Sequence, residues 1–179
     1  MAKKKNGVNL ILSIVGLATA VLSFIALALN FVTQKVTTVS VFGKKDTVTG
    51  LNLEDWKDTI EFFQKYNDGV NNNAFDLAGW NMGHVFMIIT LALVAILAVA
   101  LVLKLFIKNK AFNMLTLVLG IACVVSALIF AIAMFVGCGA VSNTKLLGNP
   151  SFTASAAVYV LAISAAVTGA MSIVVSSKK

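Results

Sequence analysis

The side chains able to do chemistry are few in this chain, and they lie far apart along it. His84 is the single histidine, and Cys123 and Cys138 are the two cysteines. On a helix, fifteen residues would separate the two cysteine Cα atoms by about 22 Å, which is too far for a disulfide. One histidine cannot build the metal motifs or the nucleophilic arrangements of intramembrane hydrolases. We therefore predict no enzyme, no catalytic residue and no cofactor.

The acidic side chains do not predict a metal site either. All seven fall between Asp46 and Asp76. Asn67, Asp68, Asn71 and Asp76 are potential oxygen ligands for calcium, but the EF-hand spacing with its central glycine and terminal glutamate is absent. We predict no bound metal.

The composition excludes several classes of protein. Hydrophobic residues make up 59% of the 179 residues, charged residues make up 12%, and the mean hydropathy is +0.94. Soluble domains carry about 25% charged residues, so this chain has too little polar surface to cover a water-soluble fold. A soluble enzyme, a disordered regulator and a nucleic-acid-binding protein are therefore excluded.

Four apolar stretches are long enough to cross a bilayer, which takes about 20 helical residues. They contain no Lys, Arg, Asp or Glu, and their single histidine is His84, at the start of the second stretch. A water-soluble helical bundle is the alternative, but the stretches lack the polar face that it needs. The lysines before the first stretch also fit a secretory signal, but the stretch is longer than the apolar region of a signal peptide, which is about 7–15 residues, so we predict an uncleaved anchor. The sequence predicts an all-α membrane protein, a four-helix bundle with transmembrane helices over residues 8–31, 83–103, 112–136 and 152–175.

The lysines predict how these helices are oriented. Residues 1–7, 104–111 and 176–179 carry eight lysines and no acid, whereas residues 32–82 and 137–151 carry six lysines and all seven acids. The formal charges are +8 and −1, which add to the +7 of the whole chain. Short lysine-rich loops stay cytoplasmic, next to anionic lipid. We predict a multi-pass protein of the cell membrane with both termini in the cytoplasm, and no nucleic-acid partner.

The outer loop over residues 32–82 is patterned like a small α+β module. Residues 36–42 are rich in β-branched side chains and predict a strand. Residues 43–46 have turn chemistry, and residues 47–49 can pair back as a second strand. An isolated hairpin is only marginally stable, so we expect it to pack against another element.

That element is predicted to be an amphipathic helix capped by Asn52. Leu53, Trp56, Ile60 and Phe63 recur at helical spacing and form one apolar stripe. The stripe can form the core of the module, or it can be offered to a partner or to the membrane surface. The candidate interaction surface consists of Trp56, Ile60, Phe63, Phe42 and Trp80.

Trp80 and His84 fall where the second predicted span begins. An aromatic residue there is typical of an interfacial anchor. His84 can act as an interfacial hydrogen-bonding group or in a proton relay, and the absence of an acid in the spans favours the first role.

Small residues recur at four-residue steps in the first and fourth spans. Such rows let helix backbones approach closely. They predict contacts inside the bundle, with a homodimer face as the alternative. The predicted packing residues are Gly16, Ala20, Ala162, Ala166, Gly169 and Ala170.

The layout of four spans, inner termini and a larger first outer loop resembles that of claudin-type tetraspans. In that family the loop forms a small sheet with a short helix, and the resemblance implies the same here. The Gly-Leu-Trp triplet and the cysteine pair of the family's loop do not occur in this sequence. The resemblance is one of layout, and no functional residue is transferred from it.

Two functions are compatible with these observations. The first is a non-enzymatic tetraspan whose outer loop binds another membrane protein, a copy of itself or an envelope component. The second is a small channel or an accessory subunit of a transporter, with hydroxyl side chains in the spans lining a weakly polar path. Those hydroxyls are Ser13, Thr19, Ser23, Thr90, Thr116, Ser126, Ser155, Ser164 and Thr168. The use of lysine for every basic residue is common in proteins from AT-rich bacterial genomes.

Overall fold

The computed structural model describes residues 2–40, 43–70, 75–107, 109–142 and 150–177. A short 3-10 turn, Ala26–Ala28, follows the first helix. In chain order the described elements are α1 (Ala2–Ile25), β1 (Val32–Ser40), β2 (Gly43–Leu51), α2 (Leu53–Val70), α3 (Ala78–Leu103), α4 (Lys110–Ser142), β3 (Ser151–Ala154) and α5 (Ala156–Ser177).

Four segments of the described chain are helical, long and apolar enough to cross a membrane, as the sequence predicts. Their bounds differ from the predicted spans. The helix α4 has 33 residues, which at 1.5 Å per residue is about 50 Å, and it ends six residues after the predicted span. These four segments are Gly7–Ala28, Ala78–Leu103, Lys110–Ser142 and Ala156–Ser177.

The chain divides into two compact units. We call the first the helical unit; it comprises Met1–Ile25, Phe86–Ile129 and Val160–Lys179. We call the second the mixed unit; it comprises Ala26–Val85 and Phe130–Tyr159 and contains all three strands.

The helical unit is packed through small side chains. A Cβ atom added to Gly169 on α5 would lie 2.6 Å from the carbonyl oxygen of Gly120 on α4. One added to Gly16 on α1 would lie 2.7 Å from the side chain of Leu101. At Gly169 the backbones of α4 and α5 therefore approach more closely than a larger residue would allow, whereas at Gly16 the neighbour is the end of a leucine side chain. The central cluster consists of Ala20, Val94, Leu97, Cys123, Ala127 and Ala165, with Ala166 packed against it. Ala162 and Ala170, the remaining predicted packing residues, are partly buried on α5.

The buried hydroxyls of the helical unit bind one another between helices. Ser23 Oγ lies 2.7 Å from Ser164 Oγ, and Thr19 Oγ1 lies 2.8 Å from Thr168 Oγ1, one helical turn away. A third pair links α3 to α4. Several of these hydroxyls also donate to a carbonyl of their own helix, as hydroxyls in apolar helices commonly do.

The mixed unit contains an antiparallel sheet with the strand order β2-β1-β3. In the register of β1 and β2, Ser40 pairs with Gly43 and Val32 with Leu51. Residues 43–46, predicted as the turn, are thus part of β2. Their turn-forming composition is overridden because Asp46 pairs across the sheet with Thr37.

The third strand was not predicted from the sequence. β3 pairs with β1 along Val32–Lys35, and residues 152–154 of β3 had been assigned to the fourth span. The helix α5 therefore starts at Ala156. Two contacts fix this start: Ser155 N donates to Phe31 O at 2.9 Å, and Ala157 N donates to Asn30 O at 3.1 Å. Partners more than a hundred residues away in the chain leave no local pattern.

Candidate interaction surface

The helix α2 begins with the predicted cap. Asp55 N donates to Asn52 Oδ1 at 3.0 Å, and Asn52 N donates to Asp55 Oδ2 at 3.4 Å. This reciprocal arrangement satisfies donors that a helix otherwise leaves unpaired. Near its other end, Asn67 exchanges two hydrogen bonds with the backbone of Phe75. The helix is therefore fixed at both ends.

The apolar stripe of α2 lies in an aromatic core. Phe63 stacks on Phe75 with ring centroids 4.0 Å apart. Trp80 meets Phe152 of β3 edge to face at 5.2 Å, and Trp56 stacks on Phe31 at 5.6 Å. Aromatic rings in these geometries contribute stability beyond their buried area. The first interpretation of the stripe, a core packed against the sheet, is the one observed.

The predicted interaction residues are therefore not on the surface. Trp56, Ile60, Phe63 and Trp80 are buried, and Phe42 lies outside the described residues. The error has a physical reason: an apolar stripe shows that a face is covered, but it does not show by what. Here Phe152 of β3 and Phe75 pack against Phe63 and cover that part of the stripe.

Trp80 and His84 also differ from the expectation of an interfacial pair. Trp80 is fully buried beside β3. His84 is partly buried and meets Trp56 edge to face at 5.8 Å. The imidazole thus packs against an aromatic ring of the mixed unit.

The two faces of the sheet are distinguished by the alternation of side chains along each strand. Val32, Leu51 and Phe152 share one face by register and are buried. Lys35 and Val48 pair on the opposite face, where both are exposed. One face of the sheet is therefore core, and the other faces outward.

The hairpin extends beyond the part that the core covers. We call residues 36–38 and 44–49 the hairpin arm; every side chain from Lys44 to Gly50 is exposed. Val48 is 63% exposed. Even Thr47, which belongs by register to the core face, is exposed. The arm thus lacks an apolar cover on either face along β2.

Polar contacts across the two strands join Asp46 of the arm to Thr37 and to Lys35, the residue directly before the arm. Lys35 Nζ lies 2.7 Å from Asp46 Oδ2, and Thr37 Oγ1 donates to Asp46 Oδ1 at 2.8 Å. These hydrogen bonds, from Lys35 first and Thr37 second, hold the pKa of Asp46 below its ordinary value. The pair is solvent-exposed, so its contribution is small and sensitive to salt.

The outer edge of β2 is free. In the described part of the chain, β2 pairs only with β1, so the backbone groups along its other side have no strand partner. A strand edge of nine residues is a template for pairing with a further strand. Lysine side chains commonly protect such edges, but the two lysines of β2, Lys44 and Lys45, both lie at one end of the strand.

The predicted interaction residues do not include Phe62, which is an exposed aromatic residue. Phe62 neighbours the buried Phe63 on α2, yet 63% of its surface is exposed. Its position off the stripe was visible in the helical spacing and is the signal that could have identified it.

Chemically reactive groups do not converge in the described residues. No group of three or more metal-ligating side chains occurs there. Both cysteines are buried and free, and the Cys123 thiol donates to Ala165 O at 3.4 Å. The groups that this part of the chain offers for binding are therefore the edge of β2 and exposed apolar side chains, and not a cluster of reactive residues.

No protein family, curated protein or solved structure matches this chain. The resemblance to claudin-type tetraspans therefore remains one of layout.

Proposed function

We propose that this protein is a non-enzymatic tetraspan of the cell membrane that binds another membrane or envelope protein through its outer hairpin arm. Insertion is supported by the four long apolar helices. The orientation, with both termini in the cytoplasm, is supported by the lysine-rich, acid-free segments on one side.

The single observation that carries the binding proposal is the free edge of β2. Its backbone donors and acceptors can pair with an added strand, and the exposed Val48 can supply an apolar contact. Val32 and Leu51 pair at the base of the hairpin and are buried, so the strand that would receive the partner is already folded. The partner we propose is a strand of another protein, and a second copy of this chain is the other outcome.

The binding proposal is tested by site-specific crosslinking in the native membrane. A photoreactive amino acid at Val48 is expected to give a discrete adduct, because that side chain lies on the free strand. The control is Met114 on α4, which is also exposed but which we assign to the lipid-facing surface. Adducts of equal yield at both positions, or none at Val48, would contradict the proposal.

The orientation has its own test. Trypsin added to intact cells is expected to cut at Lys44 or Lys45, which are exposed in the hairpin arm. Cleavage there only after the cells are opened would reverse the topology.

The second candidate is a small channel or an accessory subunit of a transporter. The pairing of Ser23 with Ser164 and of Thr19 with Thr168 favours helix packing as the role of these hydroxyls. Ion and solute flux through liposomes containing the purified protein is the test, and we expect none above that of empty liposomes.

A further inference from the structure

The helical unit carries all of the charge excess of the molecule. By sequence it contains eight lysines and no aspartate or glutamate, because every acidic residue lies between Asp46 and Asp76. A lysine that becomes buried in this unit therefore has no carboxylate side chain of the same unit to pair with. Lys104 is such a lysine, and it is partly buried.

Lys104 directly follows α3 and is partly buried against the end of α5. Its ammonium donates to Ser176 Oγ at 2.6 Å. This bond uses one of the three ammonium donors. Burial lowers the pKa of Lys104 to about 8, because removal from water disfavours the charged form. Among the described residues, no carboxylate pairs with this ammonium.

Ser176 supplies a second donor at the same place. Its side chain is buried, and its oxygen already accepts a hydrogen bond from Lys104. Among the described residues its hydroxyl hydrogen has no acceptor. Two ammonium N–H groups and one hydroxyl hydrogen are therefore available together, which is a donor set for an anionic oxygen.

The residues after Lys104 indicate where that oxygen comes from. Residues 105–107 are all apolar and exposed, and Phe106 is 79% exposed. The turn is closed by Phe106 N and Ile107 N, which both donate to Leu103 O, so these side chains are held outward by a defined backbone. Three consecutive apolar side chains next to a cation are typical of a segment at the membrane interface, where apolar side chains lie among the acyl chains and the cation lies at the headgroups.

We propose that Lys104 and Ser176 bind the phosphate of an anionic phospholipid, with residues 105–107 among its acyl chains. The inference rests on the membrane insertion proposed above. It assigns to one lysine a specific role that the overall lysine excess does not require.

The test is native mass spectrometry of the detergent-purified protein titrated with phosphatidylglycerol or phosphatidylcholine. We expect selective binding of phosphatidylglycerol, weakened about tenfold by Lys104→Gln and less strongly by Ser176→Ala. The matched control is Lys110→Gln, which removes the same charge from an exposed position at the start of α4 and should change binding less than twofold. Helicity measured by circular dichroism confirms that each variant is folded.

Three results would overturn the lipid site. Equal weakening by Lys104→Gln and Lys110→Gln would reduce the effect to general charge. Equal binding of phosphatidylglycerol and phosphatidylcholine would show that the site does not select an anionic headgroup. Displacement by inorganic phosphate at the concentration of the lipid would identify a soluble anion as the ligand. Failure of insertion is detected separately, as release of the chain from membranes by alkaline carbonate.

Discussion

The helical unit and the mixed unit are built from different kinds of contact. In the helical unit, glycines, alanines and paired hydroxyls bring backbones close together, as at Gly120 and Gly169. In the mixed unit, large aromatic rings fill the space beneath a sheet that pairs strands distant in sequence, and glycines also meet closely there, at Gly79 and Gly137. The aromatic core suits the aqueous surroundings that we propose for the sheet, because burying large apolar groups drives folding in water. In lipid that drive is small, and close packing and hydrogen bonds decide.

The two units also differ in charge. By sequence the helical unit carries eight lysines and no acid, whereas the mixed unit carries six lysines and seven acids. An exposed cation of the mixed unit can find a carboxylate of its own unit, as Lys35 finds Asp46. Lys104 of the helical unit finds a hydroxyl. A lysine of the mixed unit can therefore pair with a carboxylate of its own unit, whereas a lysine of the helical unit has no aspartate or glutamate in its unit to pair with.

The largest effect is expected from Phe63→Ala in the mixed unit. Phe63 contacts the rings of Phe75, Trp80 and Phe152, so its removal should lower the free energy of unfolding by about 4 kcal/mol. The adjacent Phe62→Ala removes an exposed ring and should cost less than about 0.5 kcal/mol. Unfolding in mixed detergent micelles measures both variants. Similar losses in the two would mean that the aromatic core does not hold this unit.

Close packing in the helical unit is tested by adding one methyl group. Gly169→Ala would place a Cβ 2.6 Å from Gly120 O and should cost about 2 kcal/mol. Gly7→Ala on α1 meets nothing within 4 Å and should be neutral or slightly stabilising, because alanine favours helix by about 1 kcal/mol. The same unfolding assay applies. A tolerated Gly169→Ala would show that the contact between α4 and α5 is looser than described.

A smaller effect is expected from the hydroxyl pairs. The coupling between Ser23→Ala and Ser164→Ala, measured by a double-mutant cycle, should be about 0.6 kcal/mol and at most about 1.7 kcal/mol. Ser177→Ala is the control, because Ser177 is exposed and bonds only to its own helix. A coupling of zero would show that these two hydroxyls do not stabilise the contact between helices. They would then be available to line a polar path.

The smallest expected effect is the loss of hairpin-arm stability at acidic pH. In the folded protein the pKa of Asp46 lies below its ordinary 3.8, so the contribution of the carboxylate to stability is present above that value. It is lost as the pH falls through the lowered pKa of the folded state. Asp46→Asn should therefore remove the loss of hairpin-arm stability that the wild type shows as the pH falls below 3.8, measured by proton NMR. The difference should shrink in high salt, and a difference indifferent to salt would count against an exposed ion pair.

Much of the fold could be predicted from the sequence because it depends on local patterns. Charge-free stretches locate the apolar helices, and Asn52 marks the start of α2. The hairpin was predicted as well, although its turn was placed over residues 43–46, which the structure assigns to β2. Turn-forming residues and strand residues overlap in type, so only the pairing partner decides between them.

The candidate site was predicted less well. The sequence identifies the stripe of Trp56, Ile60 and Phe63 as special, but it cannot identify what covers that stripe. The exposure of Phe62 is indicated by its position off the stripe, but the exposure of Val48 is not visible in the sequence, because it depends on neighbours that are distant along the chain.

The sequence by itself determined that four helices are apolar enough for lipid and that acids and lysines are segregated along the chain, because composition and charge order are properties of the chain alone. Only the tertiary structure decided that Ser151–Ala154 joins β1 as a third strand, that the edge of β2 is left open, and that Lys104 meets Ser176. Each of these depends on residues tens to more than a hundred positions apart, and a non-local contact is fixed by the packing of whole elements, which no local pattern encodes.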